Sequence, residues 1–177
     1  MPGLLLAGFG VVHPDGLHAG NAQWWVTLHV LLLPVFPLLA AAQWFLLAPA
    51  PRLLRWSGRL ATYGYAVFYT GLDAVAGIAA GTVEEASGGT SPLVGRLFEV
   101  GDMLGYVGAW CFLVSSVCVV AGRALSAGWH VVPGAVLLLV ASFSFLDSHL
   151  FSPRGVYTMV GIAAGMFLLS RTAATSS

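Results

Sequence analysis

Between Gln23 and Ala48 the chain runs for 26 residues without a single Asp, Glu, Lys or Arg. About 20 consecutive apolar residues suffice for a helix to cross the hydrocarbon core of a bilayer. Inside that core every backbone N–H and C=O must find its partner within the protein, which leaves helices or closed barrels as the only spanning structures. Trp24, Trp25 and Trp44 stand near the ends of the stretch, where aromatic side chains anchor a span at the membrane interface. Pro34 and Pro37 within it free backbone carbonyls and predict a kink.

The rest of the chain has the same character. Of 177 residues 58% are hydrophobic and 8% charged, about a third of the ~25% charged expected of a soluble domain. Four further spans are read at about Leu60–Val83, Phe98–Ala121, Val131–Leu146 and Val156–Leu169. The expectation is an all-α polytopic membrane bundle of five transmembrane helices in one domain over residues 1–177. The last two spans fall below the usual minimum of about 17 apolar residues, so four spans plus a re-entrant hairpin is the alternative. Residues 1–22 hold about ten apolar positions ended by His13-Pro14-Asp15-Gly16, too few to span, and read as an interfacial or re-entrant segment. No Lys or Arg precedes the apolar run and no small-residue cleavage site comes after it, so it is not read as a signal peptide. Residues 172–177 form a polar tail.

Charge sets an expected orientation. Arg52, Arg55, Arg59, Arg123 and Arg171 fall on one side and only Arg96 and Arg154 on the other, which places the N-terminus outside and the C-terminus in the cytoplasm. Every acidic residue and His13, His18, His29 and His149 then belong to the outer half, with His130 alone on the inner side. Formal net charge is zero, which argues against a nucleic-acid partner and against a polybasic lipid-binding tail. The expected partners are membrane lipid and either further copies of the chain or a larger membrane complex. Cys111 and Cys118 are about 10 Å apart along one helix, too far to bridge.

The costliest residue to bury is Asp73, roughly 15 Å below the outer end of its span. An ionisable group at that depth normally faces the bundle interior and marks a site or pathway. Tyr69, Asp73, Gly77, Ala80 and Glu84 keep the spacing of one helical face, as do Glu99, Asp102, Tyr106 and Trp110 on the next span. Ser142 and Ser144 lie below Asp147 and His149 and complete the expected lining. The candidate cluster is therefore His29, Asp73, Asp102, Glu99 and His149, converging in one outer-facing cavity. Structural alternatives stand beside it: an interhelical hydrogen bond for Asp73 or His29, and dipole-complementing acids for Glu99 and Asp102.

Imidazole and carboxylate together suit a first-row transition metal. No His-Glu-x-x-His, Glu-x-x-His or Cys-x-x-Cys occurs, so any metal site would draw on separate spans. No nucleophile elbow and no phosphate loop is present either. Three functions are compatible with these residues: binding or translocation of a proton, metal ion or small molecule; metal-dependent hydrolysis inside the membrane, with His29 and His149 as ligands and Asp73, Asp102 or Glu99 as ligand or general acid/base; or a non-catalytic subunit. Gly77–Gly81, Gly101–Gly105 and Gly161–Gly165 supply small-residue faces on which helices can approach.

Overall fold

The computed structural model describes residues 2–172. Among them the chain is all helix: α1 (Pro2–Val12), α2 (Ala22–Leu32), α3 (Phe36–Leu46), α4 (Arg52–Leu72), a π-helical segment (Asp73–Ala79), α5 (Ala80–Ser87), α6 (Leu93–Ala127), a short 3-10 turn (Gly128–Val131), α7 (Val132–Ser148) and α8 (Arg154–Arg171). These make five rods: α2 with α3, α4 through α5, α6, α7 and α8. The runs Ala22–Leu46, Arg52–Ser87 and Leu93–Ser148 are long and apolar enough to cross a membrane. The chain is an integral membrane protein. Its outward faces agree, with Val140, Phe143, Phe45 and Tyr157 all more than 60% exposed, an apolar surface that a soluble monomer rarely presents.

The first rod breaks where the prolines require it. Residues 33–35 leave the α-helix around Pro34, and Pro37 sits in the first turn of α3, where a missing N–H costs nothing. The 56-residue run Leu93–Ser148 is folded at Gly128, whose φ of +58° is open to glycine at no steric cost.

The helices overrun the apolar segments that signal them. The second rod begins at Arg52, so Arg52, Arg55 and Arg59 occupy helical turns instead of a connection. Their long side chains reach the interface from a helical backbone, and Arg59 stacks on Trp44 with its guanidinium carbon 4.6 Å from the ring centre. In the same way α7 and α8 gain polar ends and reach 17 and 18 residues, about 26 and 27 Å at 1.5 Å per residue. They pack as an antiparallel pair, Gly134 beside Leu169 and Gly165 beside Leu138.

The segment ahead of the first rod is an 11-residue helix, α1, about 16 Å long. Gly3 lies against Met159 and Ala163 in the middle of α8, and Gly10 against Leu150 in the turn before α8 and Val156 in its first turn. Thus α1 covers only half of the bundle, from mid-depth to the end that carries the acids. The tail beyond Thr172 lies outside the described residues.

The core combines apolar and polar contacts. Tyr65, Phe36, Phe112 and Phe145 are fully buried, with Tyr65 and Phe112 ring centres 4.9 Å apart. Below them Gln43 donates to the Ser116 hydroxyl at 2.8 Å, the Ser142 and Ser116 hydroxyls are 2.9 Å apart, and the Thr62 and Ser115 hydroxyls are 2.6 Å apart. These bonds tie α3, α4, α6 and α7 together in a setting where water cannot substitute.

Candidate functional site

A cavity of about 590 Å³ opens at the acidic end, bounded by Trp25, His29, Tyr69, Ala76, Gly77, Phe98, Asp102, Tyr106, Asp147, His149 and Phe151 among others. Its floor is built by the close approach of α2 to the π-helical segment. A Cβ on Gly77 would overlap the Cδ2 and Cγ atoms of the His29 ring, so only glycine admits the histidine there. Trp25 Nε1–H donates to the Ala76 carbonyl at 3.2 Å and secures the same contact. π-helical turns recur at functional sites because they displace side chains from the α-helical register.

The histidines are held in defined states. His29 Nδ1 lies 2.7 Å from the Trp25 carbonyl, and because a carbonyl only accepts, Nδ1 carries the proton and Nε2 is left as a bare lone pair. His13, in the loop before α2, repeats the pattern: Nδ1 donates to the Pro14 carbonyl at 2.8 Å, and Nε2 is buried without a partner. The His13 ring centre is 5.2 Å from that of His29 and 6.2 Å from that of His149. His149 comes directly after the last residue of α7 at a φ of +44°, a conformation a non-glycine residue adopts only when its surroundings enforce it. That turn brings its Nδ1 within 2.6 Å of the Tyr69 hydroxyl. Burial pushes the pKa of His149 down to about 3 and lowers that of His13, so both imidazoles are neutral at pH 7.

Of the five residues read as a cluster, His29, Asp102 and His149 line this cavity. Asp73 does not: it is fully buried, with both carboxyl oxygens lacking a hydrogen bond, and its neighbours Leu72, Ala76 and Gly77 take the lining positions. The π-helix that starts at Asp73 widens each turn, so Asp73 does not share a face with Gly77 and Ala80 as it would in an α-helix; of the face drawn through them, Tyr69 and Gly77 line the cavity and Asp73 does not. Glu99 is turned out and pairs with Arg96 at 3.0 Å, both side chains largely exposed, an ion pair worth well under ~1 kcal/mol. Ser142 and Ser144 are engaged elsewhere, Ser144 with the Thr158 hydroxyl at 2.8 Å. His13 escaped the sequence reading, since nothing in an apolar run ending at His-Pro-Asp-Gly shows that the loop folds back over α2. Trp25 and Phe151 escaped it too, the first because a tryptophan near a span end reads as an interface anchor.

Known proteins supply no precedent. Comparison with protein families, with characterised proteins and with solved structures finds no match to this chain. Function therefore rests on the chemistry of the cavity. Among the described residues no group of three or more His, Cys, Asp or Glu is placed to hold a metal ion, so the donor set expected for a first-row metal is not assembled by His29, Asp102 and His149 as they stand. What the cavity does present is acceptors and aromatic faces. Among the described residues Asp102 has no ion-pair partner, Asp147 is bound by Arg154 at 2.6 Å, and no Arg or Lys lines the walls.

Proposed function

We propose that this membrane protein binds a small organic cation, an amine carrying N–H donors, in the cavity at its acidic end. The observation that carries the reading is His29. Its proton is committed to the Trp25 carbonyl, so a bare Nε2 acceptor faces a cavity whose one unpaired charge among the described residues is the Asp102 carboxylate. A volume of about 590 Å³ falls within the 300–1,000 Å³ usual for small-molecule sites and exceeds what a bare ion needs. The faces of Trp25, Phe98, Tyr106 and Phe151 suit a cation, which ring quadrupoles attract by about 0.5–2 kcal/mol each. With five arginines at the opposite end, the positive-inside rule turns the cavity toward the outside. The Gly77–Gly81 pair serves this site by admitting α2, where Gly81 approaches Val26 as Gly77 approaches His29.

Thermal unfolding of detergent-purified protein against primary, tertiary and quaternary amines tests the reading, with neutral and anionic analogues of equal size alongside. Primary and tertiary amines, which carry an N–H when protonated, are expected to raise the midpoint and the quaternary ion, with no N–H for His29 Nε2, to raise it less; Asp102→Asn and His29→Phe are expected to abolish the rise. Stabilisation by the anionic or neutral analogues and not by the amines would overturn it.

A further inference from the structure

The opposite end of the bundle holds a second feature that cation binding does not use. Arg123, in α6, is only 6% exposed, yet among the described residues its side chain makes no hydrogen bond or ion pair, and its Nε is enclosed without a partner. An unpaired guanidinium within a span is rare and normally faces a partner or a cavity. Arg123 faces a groove of about 300 Å³ whose other walls are Pro2 and Gly3 of α1, Ala42, Phe45 and Leu46 of α3, and Ala163, Met166 and Ser170 of α8. Gly3, near the start of α1, packs on Met159 and Ala163, and among the described residues no helix covers the groove beyond that contact.

Charge decides what fits. Both ion pairs among the described residues lie at the acidic end, and no carboxylate among them lines the groove. The start of α1 adds the partial positive charge of a helix N-terminus above the same space. An apolar slot with a buried cation near one end needs an amphiphile with an anionic head. Arg123 lies four residues before the end of α6, about 6 Å in depth, a level that a lipid phosphodiester at the interface can reach. Basic pockets between spans are known to take such headgroups.

We infer that this groove is a binding site for one anionic phospholipid, its phosphate on the Arg123 guanidinium and one acyl chain along Phe45, Ala163 and Met166 beneath the start of α1. The guanidinium supplies paired donors to phosphate oxygens, and the Ser170 hydroxyl stands at the groove's rim.

Native mass spectrometry and thermal unfolding of the full chain in detergent, titrated with palmitoyl-oleoyl-phosphatidylglycerol, provide the test. The wild type should retain one lipid and gain stability, and Arg123→Gln should weaken retention at least about tenfold, as expected on losing a charged hydrogen bond. Without lipid Arg123→Gln should be no less stable than the wild type, because it removes an unpaired buried charge; a loss of stability with and without lipid alike would assign Arg123 a structural role and overturn the inference. Ser170→Trp, at an exposed position, should block retention with the charge intact. Equal retention by wild type and Arg123→Gln, equal stabilisation by inorganic phosphate, equal retention of phosphatidylcholine, or retention that appears only after deletion of residues 173–177 would each overturn it.

Discussion

Gly77→Ala is the sharpest single perturbation of the acidic end. A Cβ at this position would overlap two ring atoms of His29 and come within 2.6 Å of its Cβ, where optimal carbon contacts are about 3.5–4.0 Å. The two backbones must separate by about 1 Å. Overpacking of that kind costs about 1–3 kcal/mol, and displacing His29 from the Trp25 carbonyl adds about 1 kcal/mol. The helix-forming advantage of Ala returns about 0.5–1 kcal/mol, leaving a net loss near 2 kcal/mol. For a chain of this size that lowers the unfolding midpoint by about 4–8 °C. Gly8→Ala, with nothing within 4 Å of its Cβ, is the control and should be neutral or mildly stabilising. A cycle with His29→Ala isolates the contact: the double variant should be less destabilised than the sum of the singles by more than about 1 kcal/mol. Strict additivity, or a Gly77→Ala midpoint equal to that of Gly8→Ala, would refute the close approach of α2 to the π-helical segment.

Acid should destabilise the fold through His13 and His149. Burial holds both below their ordinary range, so the unfolded chain takes up protons that the folded chain refuses; stability is full above about pH 6.5 and falls below it, by about 1.4 kcal/mol per pH unit through His149, with His13 adding in the same direction. Unfolding midpoints that stay flat from pH 7 to pH 5 would contradict this. Thr62→Val removes the 2.6 Å contact with Ser115 and strands a buried hydroxyl, for an expected loss of about 1–2 kcal/mol in the same unfolding assay. A single cysteine at Ser57, exposed among the arginines of α4, should react with an impermeant thiol reagent only after cells are opened; labelling of intact cells would reverse the orientation.

The sequence made the membrane class legible because uncharged stretches are long and arginines mark where they end. Element boundaries were less so, since hydropathy falls at Arg52–Arg59 although the helix continues through them. The depth of Asp73 was readable from residue counting, but its direction was not. Spacing arguments assume 3.6 residues per turn, and the π-helix that begins at Asp73 breaks that assumption at the one residue where it mattered most. His13 and His149 show a different limit. Each lies where a helix ends, and a loop's return over a neighbour, or a positive φ that swings a ring toward Tyr69, has no periodic signature.

The π-helical segment also fixes the phase of the two turns of α5 beyond it. Each residue of an α-helix advances the next by about 100°, and a π-turn absorbs about one extra residue, so the same seven residues Asp73–Ala79 wound as ordinary α-turns would rotate Ala80–Ser87 about the rod by roughly that angle. Gly81 would leave Val26 and Trp25, and Gly89, just past the end of α5, would leave Ala19. The irregular turn thus works as a rotational offset: it sets the azimuth at which the last two turns of the rod meet α2, independently of how α4 is seated against α6.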